Sequence, residues 1–168
     1  MEISETHEEL VEVSKKVLET LLDLMGVSAS IVHSVEFPVE EGKENPESIA
    51  LNIEGEDLGI LIGRRGQTLA SLQYIVRLIV GNQTQVRPPL IVDVEGYKER
   101  HCETLKALAW RIAEQVREKG ESLALEPMTA FDRRIIHVSL ADDTDVSTES
   151  IGEGEARRVV VLPKGQEI

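Results

Sequence analysis

The stretch Ile62-Gly63-Arg64-Arg65-Gly66-Gln67-Thr68-Leu69 decides how the first half of this chain folds. Two glycines flank two arginines in the tetrad Gly63-Arg64-Arg65-Gly66, and apolar residues lie on both sides of it. Glycine has no Cβ, so the backbone there can turn sharply and approach a sugar-phosphate chain. A helix beginning after the tetrad would point its free N–H groups at the same phosphates, and the arginines would add charge-assisted contacts. The spacing alone also fits an ordinary tight turn between two helices.

Outward from the tetrad, the spacing of apolar residues predicts a small α+β unit with the order α-β-β-α-α-β. The first predicted elements are a helix over residues 7–25 and strands over 30–39 and 47–53, which a hairpin loop at 40–46 joins. A short helical turn over 56–62 leads to the tetrad. A helix that begins at the tetrad and is closed by Gly81-Asn82 follows, and then a strand over Leu90–Val94. This order forms one complete small domain.

The rest of the chain predicts a second small α+β unit. Tyr97–Lys119 has the apolar periodicity of a long helix, with Trp110 predicted in core or interdomain packing and base stacking as the alternative. Thr129-x-x-Asp132 is typical of the start of a shorter helix. Residues 142–154 are polar and predict a loop, and residues 157–162 predict a terminal strand. We therefore expect domains at residues 1–95 and 96–168, joined through the long helix.

The formal net charge of −13 is unevenly distributed along the chain. Residues 1–60 hold 15 acidic and 3 basic side chains, whereas residues 61–100 hold 3 acidic and 6 basic ones. Salt screens exposed charges beyond about 8–10 Å, so the local charge governs contacts with a phosphate. We expect weak and selective binding rather than a general affinity for nucleic acid.

A second candidate site is Arg133-Arg134-Ile135-Ile136-His137. On the predicted helix, Arg133 and His137 are four residues apart and share one face. Such a pair can bind one phosphate, or stack with and hydrogen-bond to an unstacked base. If this pattern is taken alone, it is better explained as an Arg and a His that are both solvated and lie on one face by chance.

The tetrad, preceded by Ile62 and a short helix, resembles the aliphatic-Ile-Gly-x-x-Gly signature of the KH family. The order of elements is similar to the type II, bacterial topology. The resemblance implies that the tetrad clamps the backbone of about four nucleotides while an adjacent apolar groove holds the bases. Ile60 and Ile62 either line that groove or belong to the core.

Arg133 and His137 take part in a second resemblance, to the R-three-H domain, which is named for its Arg and His and binds single-stranded nucleic acid. Residues 125–128, Asp142-Asp143 and Val159-Val160-Val161 contribute to it. A KH domain followed directly by this module is the arrangement of the Jag family, also called KhpB, EloR or SpoIIIJ-associated. The resemblance covers about residues 58–164. It implies that Arg133, Arg134 and His137 contact single-stranded RNA, with single-stranded DNA as an alternative.

The family resemblance also implies a biological role and partners. The role would be that of a bacterial RNA chaperone or post-transcriptional regulator, linked to cell elongation and envelope growth. The partner would be a KH-only protein or a second copy of this chain. Many family members begin with a further small domain and a long linker, whereas this chain starts at the first KH helix, so we do not expect functions of that region to transfer.

Other classes of function have little support in the sequence. The four histidines lie near no cysteine pair, and no Lys-Ser/Thr follows Gly66 as a P-loop would require, so we expect no metal, no cofactor and no catalytic site. One cysteine, an acidic N-terminus and no long apolar run favour a cytoplasmic protein without membrane insertion. The alternative function is a protein-interaction adaptor that docks a basic partner on the acidic face of residues 2–57, with RNA contact secondary.

Overall fold

Segments rich in branched apolar residues build a three-stranded sheet in the first half of the chain. Strand β1 (Ser30–Ser34) pairs antiparallel with β2 (Ile49–Glu54), and β2 pairs parallel with β3 (Leu90–Val94). The computed structural model describes residues 2–34 and 48–166. The predicted hairpin loop at 40–46 therefore lies outside the described residues.

Helices cover one face of this sheet. They are α1 (Glu2–Leu24), the short α2 (Gly59–Ile62) and α3 (Gln67–Thr84), so the predicted α-β-β-α-α-β order is confirmed. A single apolar cluster fills the space between helices and sheet. Its most buried members are Leu18, Ile49, Leu51, Ile53, Leu69, Val76, Val80, Leu90, Val92 and Val94.

Helix α3 continues past the glycine that was expected to end it. Gly81 and Asn82 remain helical, and the backbone turns only at Gln85, whose φ of 59° is left-handed. The side chain of Gln85 donates to the carbonyl of Asn82 at 2.8 Å and so satisfies one of the acceptors that a helix end leaves open. The prediction that Gly81-Asn82 closes α3 is therefore wrong.

The second half of the chain has its own sheet and core. Helix α4 (Tyr97–Lys119) has the predicted bounds, and α5 (Ala130–Ser139) follows it. The strands β4 (Leu123–Ala124), β5 (Val146–Ile151) and β6 (Arg158–Pro163) form an antiparallel sheet in the order β4-β6-β5. Its core contains Leu105, Ala109, Ala113, Val116, Ile136, Leu140, Val159 and Val161.

One prediction in this half is wrong, and one alternative of a second prediction is excluded. Residues 146–151 form a strand rather than part of a loop, because Val146 is buried and the strand pairs along its length with β6. The core alternative for Trp110 is wrong, since 51% of it is exposed while Ala109 and Ala113 beside it face the core; interdomain packing and base stacking stay predictions.

Two compact units, Met1–Lys98 and Glu99–Ile168, together make up the chain. Each has its own sheet and its own apolar cluster. Among the described helices, none is both long and apolar enough to cross a membrane.

The cap of α5 gives a test of this fold. The Thr129 side chain accepts a hydrogen bond from the N–H of Asp132 at 3.2 Å. We expect Thr129→Ala to lower the free energy of unfolding by about 1 kcal/mol, because one N–H of the first turn loses its acceptor. Urea unfolding followed by circular dichroism measures the change. Thr129→Ser keeps the hydroxyl and is the control, and equal loss in both variants would contradict the cap.

Candidate nucleic-acid interface

The tetrad joins α2 to α3 through a backbone that side-chain-bearing residues rarely adopt. Gly63, Arg65 and Gly66 have φ angles of 68°, 53° and 77°. Arg65 holds this conformation in spite of its Cβ, which is unfavourable unless the surrounding structure enforces it. Such local strain is typical of functional sites, and here it lies at the point where the chain changes direction.

Nearby atoms leave no room for a side chain at Gly63 or Gly66, and the backbone angles of both residues also favour glycine. A Cβ on Gly63 would lie 2.0 Å from Oγ1 of Thr68, and one on Gly66 would lie 2.9 Å from Cε1 of Tyr97. Real Cβ atoms do not come so close to other atoms, so a larger residue at either position would force the loop to move. The side chains of Thr68 and Tyr97 thus pack closely against the main chain of the tetrad at these two points.

The beginning of α3 is suited to an anion. Gly66 precedes the helix without a side-chain cap, and the first turn contains no acidic residue. Arg64 and Arg65 are both exposed, and within the described part of the chain the side chain of Arg64 makes no hydrogen bond or ion pair. The positive end of the helix thus directly follows two exposed arginines, an arrangement that favours a phosphate.

The two isoleucines before the tetrad have different environments. Ile60 is 73% exposed, which rules out the core alternative for it, whereas Ile62 is half-buried and packs against the core of the first unit. An exposed isoleucine so close to the tetrad leaves apolar surface available to a ligand.

His137 is held at both of its ring nitrogens. Nδ1 lies 2.6 Å from Oγ1 of Thr148, and Nε2 lies 2.7 Å from Oγ of Ser150. Burial lowers the pKa of His137 below its usual 6.5, and the charge of Arg133 lowers it further. The two residues are therefore close enough to interact, as their spacing predicts, but His137 is half-buried between hydroxyls rather than free at the surface.

The arginines of this second site differ in their exposure. Arg133 is half-buried and donates from Nη1 to the carbonyl of Met128 at 2.8 Å. The N–H of Met128 in turn donates to the carbonyl of Arg157 at 3.2 Å, which brings the start of β6 beside the same loop. The side chains of Arg134 and Arg157 are exposed.

Sequence reasoning missed Thr148, Ser150 and Arg157 as members of this second site. The signal for the hydroxyls was present, because Val146, Thr148 and Ser150 alternate with the period of a strand and so share one face. The polarity of the segment predicted a loop instead. Among the described residues, no group of three metal-ligating side chains comes together.

Comparison with known proteins follows the same division of the chain. Residues 15–92 match the family model of the KhpA/KhpB KH domain, and residues 103–163 match that of the R-three-H domain. The chain is 42% identical to RNA-binding protein KhpB of Clostridium symbiosum over 88% of its own length and 63% of the relative's. It is 34% identical to RNA-binding protein KhpB of Bacillus subtilis over 92% of its own length and 74% of the relative's. It is 36% identical to RNA-binding protein KhpB of Lactiplantibacillus plantarum over 66% of its own length and 34% of the relative's.

The lowered pKa of His137 leads to a pH dependence. In the unfolded chain the ring binds a proton near pH 6.5, whereas the folded ring binds it only at lower pH. The free energy of unfolding should therefore be greatest above pH 6.5 and should fall as the pH drops from 6.5 to the folded pKa. NMR titration of the ring carbons measures the pKa directly.

The His137→Gln variant is the control for this titration. It should lose the part of the pH dependence that belongs to this ring, because glutamine does not titrate. A measured pKa of 6.5 or above in the folded protein would contradict the enclosed position of the ring.

Proposed function

The chain belongs to the KhpB family, and we propose that it grips single-stranded RNA with the tetrad and with the surface around Arg133 and His137. The observation that carries this proposal is the uncapped N-terminus of α3, which directly follows the strained tetrad with its two exposed arginines. Backbone N–H groups and guanidinium groups recognise phosphate without reading a base. The proposed role is therefore binding, with no chemical step.

Single-stranded RNA suits this site better than a duplex does. A short loop that contacts the backbone leaves the bases of a flexible strand free to turn toward neighbouring apolar surface, which the exposed Ile60 provides. Aromatic residues make up only 3% of the chain, so extended stacking platforms are not the basis of affinity. Two weak sites joined in one chain can together hold a strand that neither would hold alone.

We propose a different task for each residue of the second site. The nitrogens of His137 lie in the plane of its ring, so their hydrogen bonds to Thr148 and Ser150 occupy the edge and leave the faces for stacking on a base. Arg134 and Arg157 are exposed and can reach phosphate oxygens. Arg133, bound to the loop carbonyl of Met128, lends positive charge without full exposure.

The second candidate function is the adaptor with a basic partner. Met25 and Ile60 line a shallow cleft together with the carboxylates of Glu56 and Asp57, and both apolar side chains are largely exposed. A basic segment with a large apolar side chain would complement this surface. Neutralising the acidic residues of α1 would release such a partner, whereas charge reversal at Arg64 and Arg65 would leave it bound.

A contact between KH domains is the third part of the proposal. Tyr74, Ile75 and Leu78 form an exposed apolar stripe on α3, on the side turned away from the core. Apolar side chains grouped on one helix face indicate a protein contact. We propose that a second copy or a KH-only protein covers this stripe.

The cellular role that we propose is RNA chaperoning or post-transcriptional control in the bacterial cytoplasm, linked to cell elongation and envelope growth. Support comes from the family membership and from the pairing of two binding modules in one chain. A protein that holds RNA weakly at two points can rearrange a strand without cleaving it.

RNA binding across a salt series tests the proposed clamp. A fluorescent single-stranded RNA of mixed sequence should bind the wild type with log K falling by about 0.7 per log unit of salt for each phosphate neutralised. Arg64→Asp/Arg65→Asp should weaken binding and make this slope shallower, because fewer phosphates are neutralised. His137→Ala should weaken binding further if the second site holds the same strand.

Lys16→Asp/Lys119→Asp is the matched control for this experiment. Both lysines are exposed and lie outside the two sites, and the change in net charge is the same. Equal losses in the two double variants would show that only net charge matters and would contradict the clamp. Absence of wild-type binding at low salt would favour the adaptor.

Self-association has its own test. Leu78→Glu places a charge in the middle of the exposed stripe and should shift the protein toward the monomer in sedimentation velocity, because a carboxylate is costly to bury. Gln83→Glu adds the same charge at an exposed position of α3 away from the stripe and should have no effect. A wild type that is monomeric at all concentrations, alone and with a KH-only protein, would contradict the contact.

A further inference from the structure

Tyr97 contacts the tetrad from the first residue of α4, outside the residues proposed above to bind RNA. A Cβ on Gly66 would lie 2.9 Å from Cε1 and 3.3 Å from the hydroxyl oxygen of Tyr97, so the ring lies directly against this glycine. The atoms that crowd Gly63 belong instead to Thr68, in the helix that the tetrad itself begins. One end of the tetrad is therefore held locally, and the other end is held by a residue that is distant in sequence.

The turn before Tyr97 is fixed against the sheet. Glu95 and Gly96 have φ angles of 50° and 66°, so the chain reverses sharply after β3. The N–H of Glu95 donates to the carbonyl of Ile53 at 3.0 Å, and its carboxylate accepts the N–H of Gly55 at 2.8 Å. The turn is thus bound to the end of β2, just before the segment that leads into α2.

The residue after Tyr97 is fixed as well. The N–H of Lys98 donates to the buried carboxylate of Asp93 at 3.2 Å, and its Nζ donates to Oε1 of Gln73 on α3 at 2.6 Å. With Glu95 before it and Lys98 after it anchored, and its ring half-buried against the core, Tyr97 has little freedom to move. The ring is therefore a rigid support for Gly66.

We propose that Tyr97 is a positioning residue for RNA binding, whose ring holds Gly66, and through it the tetrad, in the conformation that receives a phosphate. This inference rests on the proposed function of the tetrad. Arg65 and Gly66 have consecutive left-handed φ angles, and a loop of this kind relaxes into other conformations when its support is removed. A strand that binds a relaxed loop must first order it, and this ordering lowers affinity.

The test separates the ring of Tyr97 from its hydroxyl. Tyr97→Leu should weaken RNA binding by about five- to tenfold, because the RNA must then order the loop as it binds. The salt slope should stay unchanged, because Arg64 and Arg65 are still present. Tyr97→Phe keeps the ring and should bind within about twofold of the wild type. Amide hydrogen exchange at residues 64–67 should be faster in the leucine variant alone.

Ile31→Ala is the control for loss of stability. Ile31 is buried on the edge strand β1, so the variant destabilises the same unit without removing the support of Gly66. If Ile31→Ala weakens RNA binding as much as Tyr97→Leu does, the role of Tyr97 is only structural and the inference fails. Unchanged exchange at residues 64–67 in Tyr97→Leu would overturn it independently, whereas a wild type that binds no RNA would overturn the proposed function of the tetrad.

Discussion

Parallel pairing of β2 with β3 is the constraint on which the first unit depends. Their register places Ile49 beside Leu90 and Ile53 beside Val94, so the chain must leave one end of the sheet and return to the other before β3 begins. The crossover consists of α2, the tetrad and α3. Because α2 is a single short turn and α3 packs along the sheet, the change of direction falls on the tetrad. Its left-handed residues allow that change within four positions.

The same crossover explains how an acidic chain can present a site for phosphate. The 15 acidic residues of the first sixty all precede the tetrad in the chain, whereas the tetrad itself carries only positive charge. The helix that follows adds its positive end at the same place. Exposed charges farther away than about 8–10 Å are largely screened at physiological salt. Repulsion from acidic side chains beyond this distance is therefore weak, and we expect the charge close to the tetrad to govern the proposed contact.

The sequence predicted those features that depend on neighbouring residues. The bounds of α4, the cap of α5 and the α-β-β-α-α-β order follow from periodicity and local turn chemistry. The end of α3 was missed because a glutamine side chain, and not a glycine, completes it. Strand β5 was missed because its inward-facing residues are hydroxyls whose partner, His137, lies on another element. The contact of Tyr97 with Gly66 joins residues distant in sequence, so periodicity carried no sign of it.

The two sites achieve rigidity by opposite means. In the proposed first site the main chain would be the contact surface. Gly63 and Gly66 have no side chain to clash with Thr68 or Tyr97, whereas an added methyl group at either position would clash and disturb the loop. In the proposed second site side chains would form the contact surface, and other side chains hold them, as Thr148 and Ser150 hold the ring of His137. We therefore expect binding at the proposed first site to depend on salt through its arginines. In the proposed second site the pKa of His137 lies below 6.5, and protonation would turn both ring nitrogens into donors to the hydroxyls of Thr148 and Ser150.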